Sequence, residues 1–227
     1  MIDLLDWDSR FFNIKVGKAA GITSFNAENY KSFDLIYLVQ DITSPSIFLD
    51  GYEAALRVTY VEHEKTINTD LLDNNTGIIS YNSSEHSIKQ LHDLAVLSGQ
   101  FSRYNLDPNF DKITFERFYR TWINNSIHTD FADDILIYLV DNRIVGFVTY
   151  KIQSNNAKIG LIAVNPIYQG KGIGTFLIMG LENILLKKDI ISLKVVTQKE
   201  NIKALKFYEK FGFSISSTYS ISHYWKL

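Results

Sequence analysis

Between positions 169 and 174 the chain reads Gln169-Gly170-Lys171-Gly172-Ile173-Gly174, and the segments flanking this run decide the fold. Residues 157–164 before it read as a strand. Residues 172–188 after it place Ile173, Leu177, Gly180, Leu181 and Ile184 on one stripe, the spacing of an amphipathic helix. Glycines at the join let backbone N–H groups approach a ligand with no Cβ in the way. The helix start, with Thr175 in its first turn, adds unpaired N–H groups and the positive end of its dipole. Such a join suits an anion of the pyrophosphate kind. Lys171 can add charge, but the backbone would do most of the binding.

Three readings of the loop compete. A phosphate loop of the Walker type needs Lys followed by Ser or Thr, and here Gly172 and Ile173 follow Lys171. A dinucleotide fingerprint needs G-x-G-x-x-G, and the glycines here fall at 170, 172 and 174. The third reading is a glycine turn that holds no ligand, which the loop by itself leaves open.

Upstream of the loop, residues 135–140 and 144–152 flank Asp141-Asn142-Arg143 and predict a hairpin, with the strand at 157–164 returning antiparallel after Asn155-Asn156. Residues 87–97 and 115–127 predict helices, the second with Phe118, Trp122 and Ile123 at helical spacing. Beyond the loop, 190–197 is a β-branched strand, 200–211 a helix, and 213–219 and 222–226 two closing strands. Toward the N-terminus, 14–21, 34–39, 47–52 and 54–61 predict strands. Polar runs at 70–75 and 80–86 place a boundary near residue 75, giving domains 1–75 and 76–227. Hairpins and crossovers in one chain imply an α/β (α+β) protein, a mixed sheet with helices on both faces.

Composition narrows the function. The 227 residues, 46% hydrophobic, are enough for a sizeable core. A formal charge of -2 carries no electrostatic footprint for nucleic acid. The absence of cysteine excludes disulfides, thiolate metal sites and a cysteine nucleophile. The five histidines (63, 86, 92, 128, 223) lack metal-ligand spacing, so no metal is expected. No apolar run approaches the roughly 20 residues of a membrane span, and the first eight residues lack the pattern of a secretory signal. The expectation is a cytoplasmic protein.

The segments downstream give the loop its meaning. Q-x-x-G-x-G between a strand and a helix, then a strand, Asn201 and Tyr208-Glu209-Lys210-Phe211-Gly212-Phe213, resembles the GNAT acyltransferase superfamily over residues 76–227. The resemblance implies acetyl-CoA as acyl donor, bound where one strand splays from its neighbour. Ile162, Ala163 and Val164 would then pair with the pantetheine, Gln169 to Thr175 would hold the phosphates, Asn201 would contact the donor, and Ala204 would leave it room. Longer stretches resemble the bacterial TDP-fucosamine N-acetyltransferases: Leu5-Asp6-Trp7-Asp8-Ser9-Arg10-Phe11-Phe12, Phe101-Ser102-Arg103-Tyr104 and Phe118-Tyr119-Arg120-Thr121-Trp122-Ile123 among them. This implies a dTDP-linked amino-dideoxy sugar as acceptor. Two-domain members of the superfamily often pair through their sheets, so a homodimer is implied as well.

The implied chemistry is attack of a neutral amine on a thioester carbonyl. Tyr208 occupies the position of the family's general acid, which protonates the departing thiolate; the alternative is one packing tyrosine among 13. Arg103 would bind a diphosphate or hydroxyl through its guanidinium fork, while Phe101, Tyr104 and Trp122 would stack on base or sugar; the alternative is core aromatics beside a surface arginine. The family's carboxylate base is missing: Leu56 and Arg57 stand where an acid is expected, leaving Glu53, Glu62, Glu64 or bulk solvent. Two other functions stay open, a GNAT enzyme of another small amine or a protein N-terminus, and a non-catalytic acyl-CoA-binding module.

Overall fold

The computed structural model describes residues 1–21, 30–68 and 76–227. Its strands are β1 (Asp3–Leu4), β2 (Val16–Ala20), β3 (Leu35–Asp41), β4 (Tyr52–Thr66), β5 (Ile78–Ser80), β6 (Asp134–Val140), β7 (Arg143–Gln153), β8 (Asn156–Val164), β9 (Ser192–Gln198) and β10 (Ser214–Lys226). They form one sheet in the order β1-β2-β3-β10-β4-β9-β8-β7-β6-β5. The β2–β3 and β8–β9 pairs are parallel and the others antiparallel, so the sheet is mixed. The helices are α1 (Asp6–Phe12), α2 (Ile88–Ser98), α3 (Arg103–Leu106), α4 (Lys112–His128), α5 (Ile173–Leu186) and α6 (Ile202–Lys210).

Each face of the sheet carries its own core. Leu91, Leu94 and Ala95 of α2 and Phe115, Phe118, Tyr119 and Ile123 of α4 pack on one face with Phe147 and Ile137. Ile173, Leu177, Ile178, Leu181 and Leu185 of α5 pack on the other with Val148, Leu193 and Val195. Fully burying one such leucine contributes about 1.5–3 kcal/mol. Asp111 starts α4 by accepting a 2.6 Å hydrogen bond from the Thr114 N–H, one of the free donors of the first turn. No helix among the described residues is long and apolar enough to cross a membrane.

Several elements differ from expectation. The strand expected at 47–52 is not formed, and its last residue, Tyr52, opens β4 instead: Leu49 is buried and the Ile47 N–H and C=O bond the Tyr224 hydroxyl, so side-chain anchoring replaces a ladder over 47–51. Strand β4 continues to Thr66 because β9 pairs with it from Tyr60 onward. The two closing strands are one, β10, held on both sides by β3 and β4, with register shifts at Ile215/Ser217 and His223/Tyr224. The boundary near residue 75 lies outside the described residues. The segments on either side of it share the sheet, because β10 inserts between β3 and β4.

Candidate active site

Strand β8 organises the site. It pairs in parallel with β9 from Asn156↔Ser192 to Ile159↔Val195, and then the two part. At the same point its other edge is irregular. Between Val148↔Ile162 and Tyr150↔Ile159 two residues of β8, Gly160 and Leu161, oppose one residue of β7, Thr149. This is a β-bulge, which bends its strand and increases its twist. The Thr149 hydroxyl fills the broken ladder by accepting the Leu161 N–H at 2.9 Å. Glycine at 160 is required by close approach, since a Cβ there would stand 2.8 Å from Thr149 Oγ1.

The gap between β8 and β9 opens into a cleft of about 1750 Å³. Ile162, Ala163 and Val164 line one wall, and Val196, Thr197 and Gln198 the other. At one end lies the glycine loop. Gly170 and Gly172 have φ of +77° and +82°, a conformation that costs other residues energy, and Gly172 is the N-cap of α5 with no side-chain cap. The N–H groups of the first turn of α5 therefore have no intrahelical acceptor. Gln169, Gly170, Gly172, Ile173, Gly174 and Thr175 all border the cleft here. The Gln169 amide donates to the Val164 carbonyl at 3.0 Å, tying the loop to β8. Lys171 is not among the lining residues; its ammonium lies 5.0 Å from the centre of the Tyr168 ring.

Asn201 and Ala204 border the cleft from α6. Asn201 is the N-cap of that helix, its side-chain oxygen accepting the Ala204 N–H at 3.2 Å. Tyr208, one turn further, also borders it, although it is only 3% exposed. Its ring meets Phe207, Phe213 and His63, each 5.5 Å away between centroids. Burial pushes the phenol well above its ordinary value, so it stays protonated at physiological pH. Burial also lowers the His63 imidazole, leaving it neutral beside the phenol.

The other end of the cleft is aromatic. Phe101, Tyr104 and Trp122 line it together with Trp7, Tyr60 and Tyr119. Arg103 lines it too, its guanidinium 4.4 Å from the Tyr37 ring centre and donating to the Tyr104 hydroxyl at 2.5 Å. Its Nε is buried with no partner among the described residues. Burial works against that charge, but the surrounding Tyr104, Tyr60, Tyr37 and Asp8 outweigh it and hold the group above its ordinary value. Basic groups outnumber acidic ones along the cleft: Lys151, Lys158, Lys203, Lys210 and Arg103 against Asp8 and Glu200. A cleft of this sign concentrates anionic ligands, although the whole chain is slightly negative.

Glu53, Glu62 and Glu64 do not line the cleft. Glu64 is occupied by Ser192 at 2.8 Å and Lys194 at 3.5 Å, and Arg57 donates to the Ser44 carbonyl at 2.9 Å. Sequence reasoning passed over Asp8, Tyr60 and Thr149. For Asp8 a signal existed in the quoted N-terminal run. For Thr149 none did, because a bulge is a property of paired strands.

A splayed strand pair, a glycine loop at a helix start and a buried tyrosine on the next helix define one class of protein. The model of the acetyltransferase (GNAT) family matches residues 88–213, and the chain belongs to this family. Among curated relatives, it is 30% identical to the dTDP-fucosamine acetyltransferase of Escherichia coli over 60% of this chain and 58% of that one. It is 30% identical to a spermidine N(1)-acetyltransferase of Thermoplasma acidophilum, over 42% and 61%. A spore coat polysaccharide biosynthesis protein of Bacillus subtilis is 25% identical over 55% and 43%. The matches thus span 43 to 61% of the length of these relatives. In fold, the chain is similar to a conserved protein from Staphylococcus epidermidis (TM-score 0.60, 13% identity, 94% of this chain and 85% of that one). It is also similar to an N-acetyltransferase from Thermoplasma acidophilum in complex with coenzyme A (TM-score 0.50, 22% identity, 64% and 96%).

Proposed function

We propose that the protein is an acetyl-CoA-dependent N-acetyltransferase whose acceptor is the amine of a dTDP-linked amino-dideoxy sugar, in surface polysaccharide biosynthesis. The observation that carries this reading is one continuous cleft, joining the β8–β9 gap and glycine loop to the aromatic chamber around Arg103. Acetyl-CoA supplies the acyl group as a thioester. The edge of β8 left unpaired with β9 at Ile162 to Val164 suits the pantetheine, with the Val164 carbonyl already taken by Gln169, and the α5 amides suit its pyrophosphate. The segment 1–75 contributes Trp7, Asp8 and Tyr60 to the acceptor side.

The chemistry follows from these groups. Holding donor and acceptor in one cleft makes the attack effectively unimolecular. A β8 backbone N–H stabilises the oxyanion as the new N–C bond forms. The Tyr208 phenol gives its proton to the sulfur as the C–S bond breaks. At the acceptor end the buried Arg103 guanidinium suits a phosphate oxygen of a nucleotide sugar, whereas a polyamine would call for an acidic lining, and Asp8 is the one carboxylate there among the described residues.

The test is thiol release from acetyl-CoA with dTDP-4-amino-4,6-dideoxygalactose, its gluco epimer, a 3-amino analogue, spermidine and a short peptide. Turnover with one dTDP-sugar is expected. Turnover with spermidine or peptide alone would overturn the sugar reading and keep the acetyltransferase. Tight acetyl-CoA binding without turnover of any amine would favour a binding module.

A further inference from the structure

One proton of this chemistry lacks a destination. An amine on a sugar is mostly an ammonium at neutral pH and must lose a proton before it attacks. Among the described residues, Asp8 and Glu200 are the carboxylates that line the cleft. Glu200 is exposed and immediately precedes Asn201, the N-cap of α6, at the donor end. Asp8 is half-buried at the acceptor end, next to Trp7 in the first turn of α1.

The position of Asp8 is built. Trp7 stacks on Phe11 at 5.1 Å, and both rings meet Phe118 of α4 edge-on. Arg117 covers the Phe11 ring at 4.4 Å and donates to the Phe11 carbonyl at 3.2 Å. These contacts clamp α1 onto α4 and aim Asp8 at the chamber of Tyr104 and Arg103. The chamber reaches the splay through Tyr60, whose cross-strand partner is Gln198, at the end of β9 that has parted from β8. No ion pair within 4.0 Å ties Asp8 to a cation among the described residues.

We propose that Asp8 is the proton acceptor for the amine. This rests on the acetyltransferase reading. The ammonium gives one proton to the Asp8 carboxylate, and the neutral nitrogen attacks the thioester carbon. The N–C bond forms, the C–S bond breaks, and the sulfur takes the Tyr208 proton. Of the two protons the nitrogen loses, the first leaves Asp8 for solvent, and the second goes to solvent while solvent restores the phenol. The groups facing Asp8 are Arg103 and Tyr104 from the α3 side, Lys18 from β2 and Tyr37 from β3. Burial raises the carboxyl above its ordinary value; Arg103, Lys18 and the hydrogen bonds from its own backbone N–H and the Tyr104 hydroxyl oppose that rise without cancelling it, which makes Asp8 a better base than an exposed aspartate.

The test compares wild type, Asp8→Asn, Asp8→Glu and Glu62→Gln across pH with an amine the wild type acetylates. At pH 7, kcat/KM of Asp8→Asn is expected to fall by about 10²-fold or more. Above the pKa of the free amine the gap should narrow to less than about 10-fold, because the nitrogen then arrives neutral. Asp8→Glu should retain the wild-type acidic limb, and acetyl-CoA affinity by calorimetry should be unchanged in every variant. A loss in Asp8→Asn that is equal at all pH values, or no loss, would overturn the proposal. So would a limb that moves with Glu62→Gln instead, or loss of acetyl-CoA binding. Should the wild type itself turn over no amine, the acetyltransferase reading fails and this one with it; wild-type turnover with an unaffected Asp8→Asn sinks the Asp8 role alone.

Discussion

Tyr208 and Asn201 show how much a single residue's role depends on its surroundings. A tyrosine on an amphipathic helix is ordinary core material, and Tyr208 is packed like one, among Phe207, Phe213 and His63. It differs in bordering the cleft while burial keeps its proton on. Tyr208→Phe removes the hydroxyl with the ring packing intact. Its kcat is expected to fall by about 10²-fold with little change in thermal midpoint or acetyl-CoA affinity. Unchanged kcat across pH would show that solvent protonates the thiolate. The family resemblance makes Asn201 a donor contact; the structure gives its side-chain oxygen a capping role, which any helix start could ask of an asparagine.

At the scale of elements, the bulge on β8 falls where β8 and β9 part, and its effect on the splay is open to test. Its strength rests on Thr149, a buried hydroxyl 1% exposed, and on the absence of a Cβ at Gly160. Thr149→Val leaves the Leu161 N–H without an acceptor and is expected to cost about 1–3 kcal/mol of stability. The same variant should weaken coenzyme A binding, because a relaxed bulge lets β8 stay closer to β9. Thr149→Ser should preserve both properties. Urea unfolding and calorimetry measure the two effects separately, and a loss of stability with full affinity would show that the splay does not depend on the bulge.

The scale of the whole molecule is set by β10, which threads between β3 and β4 and joins the N- and C-terminal segments. At its heart lies His223, fully buried, with Nδ1 2.5 Å from Asp107 Oδ2, which also accepts from Trp225 at 2.8 Å. Burial pushes the imidazole down to about 4, so it folds neutral. The unfolded chain takes up this proton near pH 6.5. Stability from His223 is therefore fully present above about pH 6.5 and lost progressively as pH falls through about 4, a change of about 3 kcal/mol. Burial opposes the Asp107 charge, but the hydrogen bonds from His223 and Trp225 hold it below its ordinary value, so its own loss comes at still lower pH. Urea midpoints between pH 7.5 and 4.5 should fall in wild type and stay flatter in His223→Gln. Equal slopes would remove His223 as the cause.

Local pattern alone was enough for the strand–loop–helix run around Gly172, the hairpin of β6 and β7, and the helix that carries Tyr208. In each case the signal is periodicity or turn chemistry within a few residues, and those forces act within the segment itself. The resemblance to the family was carried by the glycine loop, Asn201 and the Tyr208–Phe213 run in that order. Pairing partners were beyond its reach. The merging of two closing strands into β10, the length of β4 and the bulge at Gly160 all depend on a neighbour strand supplied from far along the chain. Phe101, Arg103, Tyr104 and Trp122 were expected at the acceptor site, but Asp8 and Tyr60 were not, for the same reason: they are remote from Arg103 in sequence, and packing α1 against α4 and running β4 beside β9 bring them to one cleft.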